Sequence, residues 1–307
     1  MDNFVSQTFT ALITPFKEDL SVDFEGLKKL LDFQLKNGVR GIVPCGTTGE
    51  SATMDHETHH EVMKFVFDYA KENARKFNRV FGKDLFIMPG VGSNATDEAI
   101  ELTKFAEKFG AHAALHVTPY YNKPTQEGLK LHFKLITDAC KIPIVVYNIP
   151  GRTGRNVEVA TMLELAKNPQ IIGVKEASGD VNQIAKIIQK TRGTNFSVMS
   201  GDDQLTYLVM AMGGKGVISV ASNIIPDKMS QFTNAMLKGD YKTALDMHYK
   251  LLDLFDVQFI ETNPGPVKYM ASLMGLPAGP MRPPMTLPIP ANQEKIRKVM
   301  KDSGLIQ

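Results

Sequence analysis

The sequence predicts an α/β protein, a (β/α)8 TIM barrel with a C-terminal helical appendage. Three observations carry this prediction. Short apolar runs alternate with amphipathic segments eight times along the chain. The runs are nearly continuous in Val, Ile and Leu, as in parallel strands buried on both faces. The length, 307 residues, accommodates one barrel of about 250 residues plus a short addition. Eight units favour a closed barrel over a doubly wound sheet.

The strand-like runs fall at residues 8–16, 41–45, 85–91, 113–120, 142–149, 171–177, 196–200 and 216–220. The segments between them follow helical spacing. The first, residues 23–37, carries Leu27, Leu30, Leu31 and Leu35 and closes at Gly38, a residue suited to a left-handed cap. Another begins at Asp97, carries Ile100, Leu102, Phe105, Ala106 and Phe109, and closes at Gly110. Others begin near Asp55, Gln126, Val157, Asp180, Gln204 and Asp227. After about residue 240 the pattern is purely helical, over 241–260, 267–274 and 293–302, divided by Pro/Gly-rich stretches at 263–266 and 277–290. The expected division is a barrel over residues 1–240 and a helical extension over 241–307.

The 35 basic and 33 acidic residues leave a net charge of +2, spread along the chain. That is no footprint for nucleic acid or a membrane surface. Two scattered cysteines, Cys45 and Cys140, are no disulfide framework and read as buried packing residues. The first seven residues lack a basic segment followed by an apolar one, and no apolar run reaches the length of a membrane span. A soluble cytoplasmic protein is the expectation.

In such a barrel the chemistry sits at the C-terminal ends of the strands. The sixth run reads Ile-Ile-Gly-Val-Lys-Glu-Ala-Ser from Ile171, and strict alternation puts Lys175, Gly173 and Ile171 on one face. Burial lowers a lysine's pKa, and a neutral amine attacks a ketone to form a Schiff base. The plainer reading pairs Lys175 with Glu176 or another carboxylate. The fifth run ends at Tyr147, a spatial neighbour of Lys175 if the strands are sequential and a capable proton shuttle, or a core residue with a satisfied hydroxyl. Arg152, between Gly151 and Gly154, offers a planar fork for a carboxylate, or is a solvated loop residue. The loop Gly46-Thr47-Thr48-Gly49-Glu50-Ser51 offers two hydroxyls and backbone N–H groups to a carboxylate.

Together the loop at 46–51, TPYYNKPTQEG at 118–128, YNIPGRTG at 147–154, GVKEASG at 173–179, SGDD at 200–203 and GGKGVIS at 213–219 resemble the dihydrodipicolinate synthases. These belong to the pyruvate-dependent class I aldolases, a group that also contains N-acetylneuraminate lyase. The resemblance spans nearly the whole chain. It implies that Lys175 forms an imine with pyruvate. Thr47 and Thr48 would hold the pyruvate carboxylate, with Gly201 and Ile218 beside it. Thr48 would also join a hydroxyl relay with Tyr147 and Tyr121. The enamine would attack L-aspartate-4-semialdehyde, whose carboxylate Arg152 would anchor, and the substrate's own amine would displace Lys175. Tyr121 would reach a neighbouring subunit's site in a homo-oligomer, usually a dimer of dimers. No metal or organic cofactor is implied. Three features depart from the family pattern: Gly265, where Ile is common; a longer connection at residues 80–84; and His116 in the fourth strand.

The resemblance further implies a site for L-lysine as an inhibitor at a dimer interface, away from the catalytic centre. The matching residues are Ser51, Ala52, His56, His59, Asn94, Glu98 and Tyr120. Glu98 suits an ammonium, Asn94 and Tyr120 a carboxylate, and His56 and His59 share a helical face. The string His56-Glu57-Thr58-His59-His60 matches a zinc-protease motif, but it opens a helix outside the barrel mouth with no third ligand in view. The rival readings are N-acetylneuraminate lyase, against which Thr47 and Arg152 argue, and a silent sensor, against which the full set of catalytic side chains argues.

Overall fold

The computed structural model describes residues 4–307; residues 1–3, part of the stretch inspected for a leader, lie outside them. Eight strands form one parallel sheet: β1 (Gln7–Ala11), β2 (Gly41–Val43), β3 (Phe86–Ile87), β4 (Ala114–Val117), β5 (Ile144–Asn148), β6 (Ile171–Glu176), β7 (Ser197–Ser200) and β8 (Gly216–Ser219). Sequence neighbours pair along the sheet except β3 and β4, its two ends, and β1 pairs with β8. Between β3 and β4 the ring closes through a parallel bridge of Gly90 to Leu115. There Val91 N donates to Leu115 O, and Leu115 N to Pro89 O, both at 2.9 Å. The (β/α)8 barrel is therefore the observed fold.

Around it lie α1 (Phe24–Lys36), α2 (His56–Asn73), α3 (Thr96–Phe109), α4 (Gln126–Ala139), α5 (Pro150–Thr153), α6 (Val159–Leu165), α7 (Val181–Thr191), α8 (Thr206–Ala211) and α9 (Pro226–Leu237). Then follow α10 (Tyr241–Val257), α11 (Gly265–Leu273) and α12 (Pro290–Asp302). Side-chain caps set several starts, satisfying N–H groups the helix leaves free. Asp23 accepts from Gly26 N, Asp55 from Thr58 N, Thr125 from Gly128 N, and Asp240 from Thr243 N. Gly110 closes α3 at φ 89°, in the left-handed region its place predicted.

The barrel interior is packed, not open. Phe9, Val43, Phe86, Met88, Leu115, Val145, Tyr147, Met199 and Ile218 form one buried cluster. A Cβ on Gly41 would lie 2.1 Å from the Phe9 ring, so the phenyl fills the space that glycine leaves. Outside the strands, larger apolar clusters join the sheet to the helices.

Several expectations need correction. The first strand ends at Ala11, not at residue 16, although Leu12 N still donates to Val43 O at 3.0 Å. The third is two residues long because the chain reaches Pro89, which has no N–H to give a ladder. The helix expected near Val157 is α6, from Val159, but the short α5 before it, closed at Gly154 with φ 72°, was not expected. Ile171 does not share a face with Lys175. Register slips between Ile144 and Val145, so that Ile171 pairs with Ile144 but Gly173 with Val145. Ile171 therefore packs outward under the helices and Ile172 against the barrel interior.

The three departures have local explanations. A Cβ on Gly265 would meet Thr286 O at 2.8 Å, so the backbone of the Pro-rich stretch lies against it. The 80–84 connection is a turn tied by Arg79 Nε to Asp84 Oδ1 at 3.1 Å, with Val80 N donating to the same oxygen at 2.9 Å. His116 points out of the barrel; its Nε2 meets Thr103 Oγ1 at 3.1 Å and its ring lies 6.2 Å from that of Phe133.

Candidate active site

Lys175 and Tyr147 are register partners on β6 and β5. Lys175 is 5% exposed, and its Nζ stands 4.2 Å from the centre of the Tyr147 ring. Burial pushes the amine down to about 8; the Arg152 charge works in the same direction and Asp203 opposes both. Roughly one amine in ten is then neutral at pH 7, against about one in three thousand for an unperturbed lysine. Glu176 is not the lysine's partner. It faces outward and accepts from Asn148 Nδ2 at 3.1 and 3.2 Å, Ser178 N at 2.8 Å and Gln183 Nε2 at 3.3 Å. Burial pushes the Tyr147 phenol up to about 12, with Arg152 and Thr47 pulling it back. Gly201 gives the lysine room: a Cβ there would stand 3.1 Å from Lys175 Cγ and 2.7 Å from Ala177 Cβ. Ile218 lies with Tyr147 in the interior cluster.

The threonine loop is held from far along the chain. Thr48 is buried, and its Oγ1 accepts from Asn263 Nδ2 at 3.0 Å. Arg152, on α5, donates from Nη2 to Asn263 O at 3.1 Å. Glu50, at φ 59°, buries its carboxylate against Lys268 Nζ at 2.7 Å and Arg282 N at 3.0 Å. One expectation shifts here. The hydroxyl that meets Tyr147 is that of Thr47, not Thr48, because the two adjacent side chains of the turn diverge and Thr48 turns to Asn263. Tyr121, at φ 69°, is 89% exposed and is not gathered with the others.

The model described as "Dihydrodipicolinate synthetase family" matches residues 5–303. This chain belongs to that family. It is 49% identical over 303 residues to the 4-hydroxy-tetrahydrodipicolinate synthase of Endomicrobium trichonymphae, covering 98% of this chain and 99% of that one. The crystal structure of dihydrodipicolinate synthase from Aquifex aeolicus superposes with a TM-score of 0.91 at 44% identity, covering 98% of both chains. DHDPS from Cyanidioschyzon merolae with lysine bound gives 0.92 at 37% identity, covering 99% of this chain and 100% of that one.

Against the mouth of this family barrel lies a cavity of about 360 Å³. Ser51, Ala52, His56, His59, Glu98 and Tyr120 line it, and so do Thr47, Arg152 and Asn263. Within the chain the second set of predicted residues is thus contiguous with the first. Asn94 is not in the lining; its Nδ2 donates to Tyr120 O at 3.1 Å. Glu98 is engaged by His56 Nε2 at 2.5 Å and by the Ser93 hydroxyl, which hold its carboxyl below the usual range. The same pair raises the His56 pKa, with Glu101 adding to it. His59 turns inward to Gly90 O at 2.8 Å, so the histidines of the metal-like string diverge. Among the described residues no His, Cys, Asp and Glu cluster is arranged to hold a metal.

Sequence reasoning missed Asn263, Asp203 and the Glu50–Lys268 pair. Asp203 is buried, and its Oδ2 accepts from Val220 N at 3.0 Å, Ala221 N at 2.9 Å and Gln258 Nε2 at 2.9 Å. Its only signal in the sequence was its place in the SGDD motif.

Proposed function

We propose that this enzyme condenses pyruvate with L-aspartate-4-semialdehyde to 4-hydroxy-tetrahydrodipicolinate through a Schiff base on Lys175. The observation that carries the reading is the buried lysine at a strand's C-terminal end, its amine brought to about 8 beside Tyr147. The names of the relatives support it. The neutral amine adds to the pyruvate ketone, and water leaves with a proton supplied through Tyr147 and Thr47. The pyruvate carboxylate rests on the hydroxyls and backbone N–H groups of the threonine loop, beside Gly201 and Ile218. Loss of a methyl proton gives the enamine, whose carbon attacks the aldehyde. Arg152 holds the second substrate's carboxylate with its planar fork. The substrate's own amine then attacks the imine carbon, which closes the ring and expels Lys175. Tyr121, exposed in the single chain, suits service in a neighbouring subunit of a homo-oligomer.

Borohydride with pyruvate tests this. It is expected to inactivate the enzyme and add the reduced pyruvyl mass to Lys175. An adduct on another lysine, or none, refutes the assignment.

We further propose that L-lysine inhibits by binding in the 360 Å³ cavity. The support is the lining, with an acidic Glu98 and the polar Ser51 and Tyr120, and the family neighbour described with lysine bound. The ammonium would replace the His56 contact on Glu98. Titrating lysine into wild type and Glu98→Ala decides it: inhibition at millimolar lysine is expected in wild type and a weakened response in the variant. An unresponsive wild type, or an unchanged variant, sinks the idea.

A further inference from the structure

A hydroxyl has one O–H and two lone pairs, so an amide that donates to it leaves its proton for another acceptor. Asn263 Nδ2 donates to Thr48 Oγ1 at 3.0 Å inside a buried site. The Thr48 proton is then directed elsewhere, and the neighbouring acceptor in the reading above is the pyruvate carboxylate. The main-chain oxygen of the same residue takes Arg152 Nη2 at 3.1 Å. One residue therefore sets two groups, the hydroxyl that would meet one carboxylate and the guanidinium that would meet the other. Asn263 lines the cavity together with Thr47 and Arg152. It reaches this place from the connection before α11, 215 residues along the chain from Thr48.

We infer that Asn263 is a positioning residue for both carboxylate sites: its amide fixes Thr48 as a donor to pyruvate, and its carbonyl fixes the Arg152 fork. The inference rests on the proposed pyruvate chemistry and deepens it. The two halves of the residue are separable by mutation, because the carbonyl survives any side-chain change. Asn263→Asp keeps the shape but replaces the donor with an acceptor. The Thr48 hydroxyl must then donate to Asp, and a negative charge is added beside the pyruvate carboxylate.

Steady-state kinetics of Asn263→Asp, Thr48→Val and the double variant test this. A hydrogen bond to a charged group is lost, so the pyruvate KM is expected to rise about tenfold or more in Asn263→Asp. The semialdehyde KM is expected to stay within about threefold, since the Arg152 contact remains. The double variant should be no worse than about the poorer single one, as residues acting through one another are non-additive. An unchanged pyruvate KM, equal damage to both KM values, or additive losses overturns the inference. If Asn263→Asp does not fold by circular dichroism, Asn263→Ala is read by the same three criteria. Borohydride trapping of wild type is run alongside. A wild type that takes no pyruvate on Lys175 overturns the functional reading and the inference with it; a trapped wild type with an indifferent variant overturns the inference alone.

Discussion

Replacing Lys175 by Met is expected to stabilise the fold while abolishing activity, and the size of the gain should depend on pH. The ordinary amine value of 10.5 applies to the unfolded chain, and burial brings the native one to about 8. Below pH 8 both states carry the proton, and the native state bears the full cost of a buried ammonium. That cost is roughly 3 kcal/mol at pH 7, at about 1.4 kcal/mol per pKa unit. As pH rises through 8 the native amine gives up its proton while the unfolded one keeps it, so wild-type stability climbs until about 10.5. At pH 9.5 the remaining cost is roughly 1 kcal/mol. Met fills nearly the same volume and carries no charge. Its advantage should therefore be largest at pH 7 and shrink towards pH 9.5. Asp203 loses a favourable neighbour in the variant, which trims the gain without changing its pH slope in this range. Denaturant midpoints of both proteins at pH 7 and pH 9.5 measure the effect. A less stable variant at pH 7, or a difference that does not change with pH, would refute the view of Lys175 as a buried amine held below its ordinary value.

Three further outcomes are expected. Arg152→Ala should leave borohydride trapping of pyruvate nearly intact while raising the semialdehyde KM by about tenfold or more, the loss of a charge-assisted pair; equal damage to both steps would make Arg152 structural. Lys268→Met leaves the Glu50 carboxylate buried without its cation and should cost about 3–5 kcal/mol, read as a fall in Tm; a change under about 1 kcal/mol would mean the pair is solvated. Burial pushes His116 down to about 3 from an ordinary 6.5, so its share of stability is present above 6.5 and drains away as pH falls towards 3. His116→Leu should therefore move the acid-unfolding midpoint, followed by circular dichroism, to lower pH; an unmoved midpoint would place the acid-labile group elsewhere.

What the sequence disclosed follows from the range of the interactions involved. A parallel strand buried on both faces must be apolar along its length, so β5 and β6 stood out, and with them Tyr147 and Lys175 at their ends. Helix starts were legible where an Asp or Thr side chain caps its own helix, as at Asp23 and Asp55. Alternation failed at Ile171 because a one-residue slip in register leaves no mark in the composition. Asn263 was visible only as the head of a Pro/Gly-rich stretch, since its partner Thr48 is distant in sequence and nothing local requires them to meet. The contact with Tyr147 was expected of Thr48 and falls to Thr47 for a similar reason. Adjacent residues of a turn diverge, and which one meets Tyr147 depends on what holds the other.

That dependence extends to the barrel's separation from its helical extension. The loop 46–51 is not self-supporting. Glu50 sits in the left-handed region, which costs a side-chain-bearing residue roughly 1–2 kcal/mol, and its carboxylate is nearly fully buried. Both features persist because the surrounding structure compels them. Thr14 Oγ1 donates to Gly49 O at 2.8 Å from the barrel, but the partners of the Glu50 carboxylate lie beyond residue 240: Lys268 on α11, and Arg282, which gives its N–H to Glu50 and its Nε to Leu20 O at 2.9 Å. Asn263 adds the hold on Thr48 and Arg152. A break in chain pattern at residue 240 therefore does not mark a break in the site. The strands supply Lys175 and Tyr147, but the geometry of the groups suited to receive carboxylates is set by the C-terminal segments packed across the barrel mouth.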